Sequence, residues 1–311
     1  MIIPSDHTIT YQSTYRKKLL SSQLWTGLFA FLTAGLLYII SPAEKLGIAT
    51  SICLLLWICI GMVHWQYNKK YYRRLKLINT PFPEAWKHYL EDHSTYYQNL
   101  TEPEKEIFNT RVQFFLAEKK IEGIDTEIDD TIKLLVAASA IIPTFAFPFY
   151  DYRSIHEILI YPNSFDESFQ TTRYEGHEQR ITGMVGNRFM EHSMILSKPD
   201  LIAGFNGTVN KNNVGIHEFV HLLDKEDGAV DGLPEIFLNH SYTSGWLQAV
   251  KQEIDSIQKG HSDINPYGLT NNAEFLAVVS EYFFNNPVKF HERHPKLYTY
   301  LLSIFHQGGI L

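Results

Sequence analysis

Two stretches near the start of the chain, Leu24 to Ile40 and Leu46 to Trp65, contain no Asp, Glu, Lys or Arg. Each is close to the roughly 20 residues that cross the hydrocarbon core of a bilayer, and Ser41-Pro42-Ala43-Glu44-Lys45 forms a polar turn between them. The pattern predicts a transmembrane helical hairpin. A buried soluble hairpin fits less well, because uncharged aliphatic runs of this length are uncommon in water-soluble folds. A cleaved signal peptide would not be followed at once by a second run. Arg16, Lys17 and Lys18 precede the first run and Lys69, Lys70, Arg73, Arg74 and Lys76 follow the second, while the turn holds only Lys45. The positive-inside rule then puts both ends in the cytosol, giving a multi-pass protein of the cytoplasmic membrane whose remainder faces the cytoplasm. Trp25, Trp65, Tyr67, Tyr71 and Tyr72 suit the water interfaces; His64 falls at the same boundary and is assigned no chemistry. The expected organisation is a cytosolic segment at 1–22, the hairpin at 23–66, a basic linker at 67–79 and a folded domain at 80–311.

Charge separates these parts. Residues 1–76 carry nine Lys/Arg against Asp6 and Glu44, which leaves 18 basic and 32 acidic side chains of the totals of 27 and 34 for the rest. A domain that acidic repels phosphates, so no nucleic acid is expected as partner. The two cysteines, Cys53 and Cys59, both lie in the second apolar run, six apart and on different helix faces, and can neither bridge nor form a thiolate metal site.

Within the larger part, Gly215-Ile216-His217-Glu218-Phe219-Val220-His221-Leu222-Leu223-Asp224 contains His-Glu-x-x-His in an amphipathic run without Gly or Pro inside it. A helix turns residues four apart to one face, so His217 and His221 can share one zinc ion. Glu218 lies beside the first histidine, where its carboxylate can take a proton from an attacking water without ligating the metal, the role of a general base. Gly228 and Gly232 mark the exit of the helix.

Around this run the chain reads as α+β, mostly helical with a small sheet. Helices are predicted over 83–100, over 102–120 behind a capping-box start at Thr101 and Glu104, and from Thr126 or Asp129 to Ile142, ending at Pro143. Strands are expected at 156–161, 182–184 and 193–196, the last as an edge that receives a peptide by strand addition. Residues 200–213, rich in Gly and Asn, read as loop. Lys225 to Gly232 reads as a solvated acidic loop, and a helix begins near Ser244. His240, His261, His291 and His294 lie in polar or Pro-flanked stretches and read as exposed. Asp224, on the same face as both histidines, can orient an imidazole or accept a helix-end hydrogen bond.

A catalytic zinc takes three protein ligands and keeps one position open. The third is expected from a helix capped at Asn271 or Asn272 and running to Asn285, where Glu274 projects from an otherwise apolar first turn; Glu281, two turns on, is its rival. The segments His217 to Asp224, His156-Glu157-Ile158-Leu159-Ile160-Tyr161-Pro162, Ala273-Glu274-Phe275 and Ser280-Glu281-Tyr282-Phe283-Phe284 together resemble the Mlc titration factor A family of zinc peptidases over about residues 80–311. That resemblance, and the likeness of the family to the anthrax lethal factor catalytic domain, implies a zincin-like metallopeptidase domain. It implies Glu274 rather than Glu281 as third ligand, and Tyr267, seven residues earlier, as the stabiliser of the transition state. It further implies aminopeptidase-like activity on a peptide or protein substrate, and binding of a transcriptional regulator. The alternative function on that last ground is a membrane-tethered module that sequesters a regulator. The hairpin is a departure from the soluble members of the family.

Overall fold

The computed structural model describes residues 7–40, 46–164, 183–185, 192–206, 212–233 and 240–307. The chain divides into two compact units, Ile3–Pro81 and Phe82–Leu311.

The first unit is a pair of helices, α1 (His7–Ile40) and α2 (Leu46–Ile78), of 34 and 33 residues. At about 1.5 Å per residue each is roughly 50 Å long. A bilayer core occupies only about 30 Å of that, and both helices are long and apolar enough to cross one. Large aliphatic and aromatic side chains point outward, with Phe31 75% and Ile39 79% exposed. Polar groups meet between the helices instead. Thr26 Oγ1 lies 2.9 Å from His64 Nδ1 and Asn68 donates to Ser22 Oγ at 2.8 Å. Trp57 donates to the Ala30 carbonyl, Arg74 to the Tyr15 hydroxyl at 2.9 Å, and Gln12 to Asn79. The partners run in opposite directions along the two helices, so the pair is antiparallel. His64 is therefore part of the interhelical contact, and the basic stretch after Trp65 continues α2 without a break. The expected turn at 41–45 lies outside the described residues.

The second unit begins with α3 (Glu84–His93) and α4 (Thr95–Gln98), one predicted helix interrupted at Ser94, whose extended backbone and side chain cap the second piece through Tyr97 N–H. Helix α5 (Glu102–Glu118) starts as predicted, with Glu104 accepting the Thr101 N–H at 2.8 Å. Strand β1 (Lys120–Gly123) follows, then α6 (Asp130–Thr144), capped by Asp129. Pro143 lies inside the last turn of α6 rather than beyond it, where a missing N–H costs one hydrogen bond at most. Next come β2 (Glu157–Tyr161), β3 (Gly183–Val185), β4 (Ser193–Ser197) and α7 (Lys198–Ala203). The expected start of β3 at Thr182 and residues 207–211 of the expected loop lie outside the described residues, while 200–203 of that loop are the end of α7, a correction.

The strands form one mixed sheet in the order β1-β2-β4-β3, with β1, β2 and β4 parallel and β3 antiparallel to β4. Strand β4 is thus interior and hydrogen-bonded on both sides. This corrects the expectation that it is the edge; among the described strands the edge on that side is β3.

Further helices among the described residues are α8 (Val214–Asp224), α9 (His240–Gln258), α10 (Asn272–Asn285), α11 (Pro287–Arg293) and α12 (Pro295–Phe305). Helix α8 packs on α6 at Gly215, where a Cβ would stand 2.1 Å from Ser139 Oγ. Phe219 reaches α5 instead, edge-on to Phe115 at 5.7 Å. Gly232, with φ of 77°, turns the chain after α8 against the Asn272 carbonyl, 2.3 Å from where a Cβ would be.

His261 and His291 are exposed as expected, and the His240 side chain lies outside the described residues. His294 is buried, a correction: its Nδ1 lies 3.2 Å from Glu253 and its Nε2 2.8 Å from Asp263. Asp263 also takes the Tyr282 hydroxyl at 3.0 Å and faces Arg293 and Lys289. The Pro that follows His294 starts α12 and does not mark a solvated loop.

Candidate metal centre

Helix α8 owes its position to an apolar run that is buried on almost every side, so His217, Glu218, His221 and Asp224 are carried inward with it. Asn213 caps it, its side chain accepting Ile216 N–H at 3.1 Å. His217 and Glu218 are buried, and His221 is nearly so. Helix α10 crosses beside α8 and is capped by Asn271, whose side chain accepts the Glu274 N–H at 2.9 Å. That cap fixes the first turn, so the Glu274 carboxylate faces α8.

Three atoms converge there. His217 Nε2 lies 2.9 Å from Glu274 Oε2 and 3.1 Å from His221 Nε2, and His221 Nε2 lies 3.4 Å from Glu274 Oε2. Tetrahedral ligands at about 2.0–2.1 Å from a metal stand about 3.3 Å from one another, so the triangle fits one ion. Among the described residues these three form the one group of His, Cys, Asp or Glu able to hold a metal.

The electrostatics agree with a centre that wants a cation. Burial works against an ionised Glu274, yet hydrogen bonds from His217 and His221 outweigh it and hold the carboxyl at about 2. Burial also opposes charging His217, and its bonds to Glu274 and Glu281 outweigh that and raise its pKa.

Glu281, the rival for the third ligand, is directed to the other side of the ring. Its Oε1 lies 2.7 Å from His217 Nδ1, and its Oε2 accepts the Asn213 N–H. Glu218 is buried, which pushes its carboxyl up from the ordinary value. It borders β3 so closely that a Cβ on Gly183 would meet its Oε1 at 2.6 Å. Tyr267 sits on a 3₁₀ turn, Pro266–Leu269, its ring 6.0 Å from that of His217 and the residue 43% exposed. Burial and the three nearby glutamates raise its hydroxyl pKa.

Asp224 accepts the Gly232 N–H at 2.9 Å, the helix-end alternative, and not a bond from His221. Burial holds its carboxyl at about 6 despite that bond. Among the described residues its Oδ1 and His221 Nδ1 are both buried without a partner. The role of Glu281 behind the ring was not foreseen; the signal for it in the sequence is a second carboxylate two turns along the same apolar face.

The family model for glucose-regulated metallo-peptidase M90 matches residues 65–306. The chain belongs to that family. It is 28% identical over 254 residues to the uncharacterized protein slr2042 of Synechocystis sp., covering 79% of this chain and 90% of that one. It is 29% identical over 224 residues to Mlc titration factor A of Escherichia fergusonii, covering 68% and 83%. The Escherichia coli protein of the same name is 28% identical over 222 residues, covering 68% and 82%. The match of the M90 family model begins at the end of the second apolar run, so most of the hairpin lies outside it.

Proposed function

We propose that this M90-family chain is a zinc-dependent metallopeptidase, held in the cytoplasmic membrane by its amino-terminal hairpin with the catalytic unit in the cytosol. The observation that carries the reading is the convergence of His217 Nε2, His221 Nε2 and Glu274 Oε2 in a triangle sized for one tetrahedral ion. Two nitrogens and one carboxylate are a donor set that suits zinc and leaves a position open.

When bound, zinc supplies Lewis-acid polarisation of a peptide carbonyl and acidifies the attacking water. The rest is done by side chains. Glu218, adjacent to the ligands and raised in pKa, takes the proton of that water as it adds to the carbonyl carbon. The Tyr267 hydroxyl donates to the oxyanion that develops. Glu218 then returns the proton to the departing amine. Aminopeptidase-like cleavage of a peptide or protein substrate is the expected activity.

The test is metal analysis of the purified full chain alongside digestion of a peptide library by the parent and by Glu218→Gln. The reading requires about one zinc per chain and cleavage that the variant loses while keeping its metal. A parent without bound zinc, or a variant as active as the parent, defeats it. The name of the Escherichia relatives, Mlc titration factor A, is also compatible with a second reading, in which the chain sequesters a transcriptional regulator at the membrane. Complementation of a deletion strain by Glu218→Gln would favour sequestration over hydrolysis.

A further inference from the structure

Helix α10 grips one imidazole from two sides. Glu274, in its first turn, faces His217 Nε2 at 2.9 Å, and Glu281, two turns later, lies 2.7 Å from Nδ1 of the same ring. A neutral imidazole has one donor nitrogen and one acceptor nitrogen, and the bond made by one decides the state of the other. If Nδ1 keeps the proton, Nε2 presents its lone pair to a metal; if Nε2 keeps it, the ligand is lost.

Glu281 does more than receive that proton. Its second oxygen accepts the backbone N–H of Asn213, the residue that caps α8. That N–H, just ahead of the first helical turn, is at the positive end of the α8 dipole, which favours a carboxylate there. Both oxygens are thus committed to donors, and the group is 6% exposed, out of reach of bulk water. Ser280 beside it bonds back to the Leu276 carbonyl at 2.6 Å and takes no part.

We infer that Glu281 is the positioning residue of the metal centre: it fixes the proton of His217 on Nδ1 and ties the cap of α8 to α10, so that Nε2 is presented to the metal before the metal arrives. This rests on the reading of His217 as a ligand. The isosteric change Glu281→Gln separates the two duties, because an amide offers one acceptor and one donor where two acceptors are needed. Either its NH₂ opposes the Asn213 N–H, or it opposes His217 Nδ1–H and drives the proton to Nε2.

The test uses the full chain in detergent, with zinc affinity measured by competition against a chromogenic chelator and the cobalt(II)-substituted spectrum recorded in parallel. Glu281→Gln is expected to bind zinc about 10–100-fold more weakly than the parent, with an altered cobalt spectrum and an unchanged helix content. A variant that binds zinc within about threefold of the parent, whatever its melting temperature, overturns the inference. Should the variant fail to fold, the parent decides: in the zinc-loaded chain the His217 Nδ1 proton is expected to be observable by ¹⁵N-resolved NMR and slow to exchange, and rapid exchange overturns the proposal. A parent that binds no zinc at all would instead defeat the functional reading on which this one rests.

Discussion

The two units solve opposite solvation problems. In the hairpin, large apolar side chains such as Leu24, Phe31 and Leu55 face outward while Asn68 is 1% exposed. In the other unit Phe108, Phe219 and Phe275 are fully buried, and ionisable groups are mostly outside. Exceptions such as Arg111, Asp224 and His294 stand singly, whereas His217, Glu218 and Glu281 are buried together. Burying such groups is costly unless each is paired, and here each ring nitrogen of His217 has a carboxylate. The difference teaches that burial is inverted in both units: an apolar exterior that would suit a lipid, a polar interior that would suit an ion.

The comparison can be broken most severely at the polar interior. Glu218→Gln is expected to lower kcat for peptide cleavage by about 10²- to 10⁴-fold, which is about 3–5 kcal/mol of barrier, with metal content unchanged. Steady-state assays alongside metal analysis read both. At the apolar exterior, Leu55→Arg puts a charge in the middle of the second apolar run at a cost of about 2.5–3.5 kcal/mol for insertion. The full chain should then shift from the alkali-resistant membrane fraction toward the extract, and unchanged retention would show that the outward apolar face does not meet lipid.

A smaller effect is expected at the seam between α6 and α8. Gly215→Ala sets a methyl 2.1 Å from Ser139 Oγ, an overpacking that costs about 1–3 kcal/mol and exceeds the gain in helix propensity of about 1 kcal/mol. A lower melting temperature checks it, and an unchanged one would mean that the seam yields freely.

The smallest effect is in the pH profile of stability and sharpens the idea that buried ions must be paired. Burial lowers the His294 pKa, but Glu253 and Asp263 outweigh it and raise the value above 6.5. Burial likewise pushes Glu253 up, and its bonds to His294 and Ser262 carry it below 4.5. The His294 contribution is therefore complete below pH 6.5 and is lost as pH rises through the raised value. The Glu253 contribution is complete above pH 4.5 and is lost as pH falls through the lowered one. Melting curves should show the parent losing stability as pH rises above about 6.5, and His294→Phe losing less over the same rise.

Much of this was legible in the chain because it depends on short-range pattern. The charge-free runs, the four-residue spacing of His217 and His221, the Asn271 cap that aims Glu274 and the capping box at Thr101 are all set within a few residues. What was misread depends on distant partners. Strand β4 looks like an edge until β3 is known to pair with it, and β1 is four residues, Lys-Ile-Glu-Gly, whose alternation is too short to stand out. His294 looks exposed next to Pro295 because its carboxylate partners are 31 and 41 positions away. Glu281 could be placed on the right face of its helix, but which atom of His217 it would meet is set by how α8 and α10 cross.

Gly183 shows what that crossing leaves over. With a methyl at 183 only 2.6 Å from Glu218 Oε1, β3 can run past that carboxylate only while the position stays bare. The place of the Glu218 carboxylate and the composition of β3 are therefore a single constraint, and drift at one small strand residue would be felt first as a displaced carboxylate.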